Sequence, residues 1–193
     1  MDFEGLKKHV FALLEEQLPE NLRYHGLHHT HDVLDSVERY IQEEGISNTK
    51  DQILLRTGAV MHDSGFIVAY QNHEENGVKL AKEILPKFGY SASDIDVISG
   101  LIMATKVPQS PQNHLEEVLC DCDLDYLGRD DFEEISETLY HEWKDRGMVT
   151  DLIDYDTKQV RFLEAHSYFT NFAKTNRAIK KAQQIENLKA RLT

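Results

Sequence analysis

Ile53-Leu54-Leu55-Arg56-Thr57-Gly58-Ala59-Val60-Met61-His62-Asp63-Ser64-Gly65 reads as a helix whose apolar face runs into a His-Asp pair and stops at a glycine. Ile53, Leu54, Ala59 and Val60 recur at the spacing of one helical face. Ser47, Asn48 and Thr49 stand ahead of them as N-caps, so the helix is expected over 50–63. Adjacent His62 and Asp63 could not serve one point from inside a regular helix, where consecutive side chains diverge by about 100°. At a helix terminus they can, and Gly65 supplies the break.

The same period continues outward in both directions. Phe3, Leu6, Val10, Leu13, Leu14 and Leu18 mark a helix over 3–18 that Pro19 ends. After a loop at 20–28, a second helix is expected from near Thr30 to Gly45. Beyond the His-Asp pair, helices are expected over 72–85, stopped by Pro86, and from Ser91 or Ser93 to about Thr105. Pro108 and Pro111 make 107–113 a loop. Asn113 caps a helix running from 114 to Gly128, and further helices are expected over 131–145, 151–173 and 175–191. No run alternates with period two, so the expected fold is all-α, a single domain spanning 1–193.

Composition narrows the partners. Of the 193 residues 40% are hydrophobic, enough for one core at this length. Mean hydropathy is −0.51, and no apolar run is long enough to span a bilayer, so no membrane partner is expected. The acidic start Met1-Asp2-Phe3-Glu4 lacks the basic region of a secretory signal. Cys120 and Cys122 flank Asp121 too closely to bridge, and read as reduced thiols in a cytoplasmic protein. A net charge of −13 argues against a nucleic-acid partner. The basic residues Lys174, Arg177, Lys180, Lys181, Lys189 and Arg191 gather in the last helix, expected to pack on an acidic body. Trp143, Tyr140, Tyr155, Phe162, Tyr168 and Phe169 recur at helical spacing as core or pocket wall. A homodimer is compatible with the sequence.

Of ten histidines, five lie between positions 25 and 62. Tyr24-His25-Gly26-Leu27-His28-His29-Thr30-His31-Asp32-Val33 holds four of them at a loop-to-helix junction. His73-Glu74-Glu75-Asn76-Gly77 and Cys120-Asp121-Cys122-Asp123-Leu124 follow. Imidazole and carboxylate at helix ends suit a divalent metal such as Zn, Mn, Fe, Ni or Co, whereas an all-oxygen cage would favour Mg or Ca. Any one of these histidines taken alone is equally well a satisfied core residue.

The ordered series His29-x-x-x-Val33, His62-Asp63-x-Gly65 and Asp121-x-Asp123-Leu124 resembles the HD-domain metal-dependent phosphohydrolase superfamily, over about residues 20–130. Tyr24-His25-x-x-x-His29 and Asp123-Leu124-x-x-Leu127-Gly128 look like its small stand-alone bacterial members. The resemblance implies an HD-type helical bundle completed by the helices of 131–193. It implies His29, His62, Asp63 and Asp123 as metal ligands, with Asp121 left a supporting hydrogen bond. His25 matches a pocket or supporting histidine one turn upstream, and His73 one that is used for a second metal in some members. The usual partner of that second site is absent, because Thr105 and Lys106 stand in its place and His114 could substitute only if the 107–113 loop folds back. Ser64 and Phe66 depart from the family's His-Asp-x-Gly-Lys/His form, so no role is carried to position 66.

The expectation is therefore one divalent ion per chain, of Mn, Fe, Ni, Co, Zn or Mg, and hydrolysis of a phosphate ester or anhydride in a small molecule, with a nucleotide as the first class. Asp63, His73 and Glu74 are the candidate catalytic residues, with His25 as a second candidate acid. His25, Lys106 and Arg129 are the candidate substrate contacts. The rivals are a di-iron HD-type oxygenase and a non-enzymatic module that binds a nucleotide or a partner protein.

Overall fold

Ten α-helices and no strand make up the computed structural model, which describes residues 1–193. They are α1 (Phe3–Gln17), α2 (Leu27–Glu43), α3 (Thr49–Met61), α4 (His73–Ile84), α5 (Ala92–Ala104), α6 (His114–Asp123), α7 (Phe132–Asp145), α8 (Leu152–Ala165), α9 (Asn171–Asn176) and α10 (Ala178–Arg191). Short 3-10 turns at Ser64–Ile67, Leu85–Phe88 and Asp125–Gly128 link some of them. The caps explain several starts. Asn48 accepts from the backbone N–H of Lys50, and Asn113 from that of Glu116. Of the two serines offered for α5, Ser91 closes a reciprocal capping box with Asp94.

α3 lies at the centre, against α1, α2, α5 and α6. Leu55, Ile98, Leu101, Ile102 and Leu119 are fully buried there. One cluster of 37 buried apolar residues runs from Leu6 to Leu188, so the helices after 131 share the core of the rest. The basic last helix packs on acidic partners as expected. Arg177 donates to Asp125 (2.7 Å), Lys189 pairs with Glu164 (2.9 Å), and Lys180 and Arg191 pair with Asp130 and Glu133. Both cysteines are buried and free, and no helix is long and apolar enough to cross a membrane.

Three boundaries differ from the sequence expectation. α2 begins at Leu27 rather than near Thr30, with Gly26 as its N-cap. The helix expected over 114–128 stops at Asp123 and tightens into the 3-10 turn of Asp125–Gly128. The cause is Asp125, which is fully buried and accepts from the Tyr40 hydroxyl (2.7 Å) as well as from Arg177, drawing the chain inward. The helix expected over 151–173 breaks at Ala165, and an extended strap runs to Thr170, the N-cap of α9. Fully buried Asp121 holds that strap, accepting from the backbone N–H of Phe169 (3.0 Å) and of Thr170 (2.8 Å). Asp121 therefore clamps the fold rather than supporting a ligand. Burial pushes its carboxyl up to about 6, against the pull of these donors.

Asp121→Ala would leave the buried N–H of Thr170 and the half-buried N–H of Phe169 unpaired, costing about 2–5 kcal/mol. Thermal denaturation should show a melting temperature lower by roughly 5–15 °C, with a much smaller loss for Asp121→Asn, which keeps an acceptor. Equal melting of the alanine variant and the wild type would refute the clamp.

Candidate metal centre

The site forms where one helix starts and two stop. α2 presents His29 from its first turn, α3 ends at Met61 with His62 as its C-cap, and α6 ends on Asp123. After His62 the backbone leaves helical geometry, with Asp63 at φ −100° and ψ 2°. That break turns adjacent side chains to one point, as the sequence required. Gly65 permits the tight turn to lie on α4, since a Cβ there would sit 1.8 Å from the His73 carbonyl oxygen and 2.5 Å from the Gly77 nitrogen.

Four atoms converge. His29 Nε2 lies 3.1 Å from Asp123 Oδ1 and 3.6 Å from Asp63 Oδ2. His62 Nε2 lies 3.3 Å from Asp63 Oδ2, 3.4 Å from His29 Nε2 and 3.5 Å from Asp123 Oδ1. His62 Nδ1 donates to the Ala59 carbonyl (2.8 Å), which turns Nε2 to the centre. Asp63 Oδ2 is buried and has no hydrogen-bond partner. Two imidazoles and two carboxylates facing one point, with an orphaned oxygen among them, are a donor set that fits a divalent cation. His29, His62 and Asp123 alone form a compact three-donor group.

The electrostatics agree. Burial alone would depress the His62 pKa, but the neighbouring Asp63 and Asp123 carboxylates outweigh it and hold it well above the ordinary value. Burial would raise the Asp63 and Asp123 carboxyls. Their histidine neighbours, His62 foremost for Asp63 and His29 for Asp123, hold both below the usual carboxylate range. The carboxylates thus stay ionised and attract positive charge to this point.

A cavity of about 510 Å³ opens over Asp63 and Asp123. His73 and Glu74 border it. His73 Nε2 stands 3.5 Å from Asp63 Oδ1 and 3.4 Å from Glu74 Oε1, with its ring stacked on Phe66 at 3.9 Å. His25 borders it too, fixed by a partner the sequence did not reveal. Fully buried Glu142 accepts from His25 Nδ1 (2.6 Å), from the Tyr70 hydroxyl (3.1 Å) and from the backbone N–H of Tyr24 (2.9 Å) and His25 (3.1 Å). Burial opposes protonation of His25, but the Glu142 hydrogen bond and the nearby carboxylate charges outweigh it and raise its pKa. The available signal was a charged residue in register with the inward positions Phe132, Ser136 and Leu139 of α7.

Two expected substrate contacts fare differently. Lys106 borders the cavity, but its ammonium is already paired with Glu75. Arg129 is not brought to the cavity. It is held by Asp32 (2.8 Å) and Asp131 (2.8 Å) beside a separate cavity that includes His28, and it ties α2 to the turn after α6. His114 starts the helix that Asp123 ends, roughly 13 Å away at about 1.5 Å per residue, and pairs with Glu117 instead. No protein-family model, curated protein or solved structure matches this chain.

Gly65→Ala should force the turn off α4 at a cost of about 1–3 kcal/mol. A melting curve matching the wild type would show that the contact with His73 and Gly77 is loose.

Proposed function

We propose that this chain is a cytoplasmic, metal-dependent hydrolase of a phosphate ester or anhydride in a small molecule, of the HD-domain kind, with a nucleotide as the first class of substrate. The observation that carries the reading is the meeting of His29, His62, Asp63 and Asp123 at separations of 3.1–3.6 Å, with Asp63 Oδ2 buried and unpartnered beside a cavity of ligand size. These four residues would hold one divalent ion. When bound, such an ion supplies Lewis acidity toward a phosphoryl oxygen and a water of lowered pKa.

The chain's own groups support the rest. His25 is anchored through Nδ1 to Glu142, so its raised pKa keeps a proton at Nε2 for the leaving oxygen. That favours His25 over His73 as the acid. His73 faces the Asp63 and Glu74 carboxylates and suits orienting Asp63. Lys106 adds positive charge at the rim, shared with Glu75. The oxygenase alternative needs a second ion, and His114 is too remote to help hold one.

Equilibrium dialysis against Mn²⁺ or Zn²⁺ followed by elemental analysis should find one ion per wild-type chain. His62→Ala and Asp63→Ala should weaken that binding by more than about 100-fold, beyond what loss of a supporting hydrogen bond does. Full occupancy in Asp63→Ala would overturn the ligand assignment.

With a phosphate substrate found by a phosphate-release screen, His25→Ala should lower kcat by roughly 10²- to 10⁴-fold at unchanged metal content. An acid must be protonated, so activity falls as pH rises through the His25 pKa. Glu142→Gln removes the carboxylate that raises that pKa and should move the alkaline limb to lower pH. An unmoved limb would assign the proton elsewhere.

A further inference from the structure

The cavity's lining is of two chemical kinds. Asp63, Asp123, His25, His73, Glu74 and Lys106 line it, and so do Tyr126, Leu139, Trp143 and Phe162. Of the three carboxamides that line it, Gln71 and Asn72 are exposed and Gln159 is buried. Gln159 is 1% exposed, and its Oε1 is buried without a hydrogen-bond partner. It comes from the inward face of α8, alongside Tyr155, Val160 and Leu163. A buried amide left unpaired is destabilising, and a leucine of similar size would fill the position without that cost. Folding therefore does not account for a glutamine here, whereas a ligand would.

We propose that Gln159 is a specificity-determining residue, and that its carboxamide pairs with the edge of a planar heterocycle seated between the aromatic walls. A carboxamide offers one acceptor and one donor side by side, and its complement is an adjacent donor and acceptor on a flat ring. Aromatic walls suit such a ring by stacking and by burial of its faces. With His25 and Lys106 in the same lining to take an anionic group, the matching ligand is a nucleoside phosphate, its base at Gln159. The inference deepens the function proposed above and shares its cavity, but it concerns recognition and not hydrolysis.

Trp143 is the only tryptophan of the chain and borders the same cavity, so its fluorescence reports occupancy directly. Unphosphorylated nucleosides cannot be hydrolysed as phosphates, so they test recognition alone. The full chain is titrated with adenosine, guanosine, cytidine and uridine, and separately, by calorimetry, with ribose 5-phosphate. At least one nucleoside should quench Trp143 in the wild type. Gln159→Leu should weaken that binding roughly 10- to 100-fold while leaving ribose 5-phosphate binding and metal content unchanged. Its melting temperature should be equal to the wild type's or higher, which a glutamine kept for structure would not give. A Gln159→Leu protein that melts lower yet binds nucleosides as the wild type does would overturn the proposal. So would binding of ribose 5-phosphate with no nucleoside bound. Gln159-dependent nucleoside binding without metal-dependent phosphate release would sustain this inference and refute the hydrolase reading.

Discussion

Two carboxylates, Asp63 and Asp123, each stand 3.1–3.6 Å from both His29 and His62 in the interior, and much of the local architecture serves that meeting. Like-charged oxygens such as those of Asp63 and Asp123 are costly to hold in a buried space unless positive charge lies among them. The chain brings them there from different helices, each ended at the right residue. α3 breaks after Met61, α6 breaks after Asp123, and α2 starts early enough to place His29 one turn in. Gly65 lets the turn after the His-Asp pair press on α4, which carries His73 to Asp63. Asp125 pulls the chain inward immediately beyond Asp123.

The buried polar groups fall into two kinds. Asp121, Asp125 and Glu142 are fully buried, and backbone or side-chain donors partner each of them. Their interactions are complete within the fold, and their work is to shape the chain or hold a neighbour. Asp63 Oδ2 and Gln159 Oε1 are buried and unpaired, and both residues border the same cavity. Most buried polar groups in proteins find partners, and of the atoms here that have none, such as Ser36 Oγ and His166 Nε2, these two belong to residues bordering the main cavity. Asp63 and Gln159 line one cavity, so both orphaned oxygens belong to residues that border the same space.

The charge distribution bears on how an anion could enter. The body is acidic, and the basic residues of α10 are largely consumed by Asp130, Glu133 and Glu164. Arg129 is likewise committed to Asp32 and Asp131. The positive groups left at the cavity are His25, whose pKa is raised, and Lys106, shared with Glu75. Attraction of an anion is therefore local, set by the floor of the cavity rather than by the field of the whole molecule.

The helical class and most helix positions followed from periodicity, because helix signals are local: apolar steps, caps such as Asn48 and Asn113, and stops such as Pro19 and Pro86. The approach of His62 and Asp63 to one point was also legible, because an adjacent His-Asp pair needs a helix end, and Gly65 supplies the break. Long-range contacts were not legible. The break in the expected 151–173 helix depends on Asp121, which lies 48 residues before the backbone amide of Phe169 that it holds. The anchoring of His25 depends on Glu142, 117 residues away. Arg129 looked free in the sequence and is tied to Asp32 across 97 residues. Gln159 resembles any polar residue on a helix until the fold buries it without a partner. Residue types and caps along the chain fix where the imidazoles and carboxylates stand relative to the helix ends. Which buried polar groups are satisfied is settled only in the folded molecule, because a hydrogen-bond partner is chosen by distance in space and not by distance along the chain.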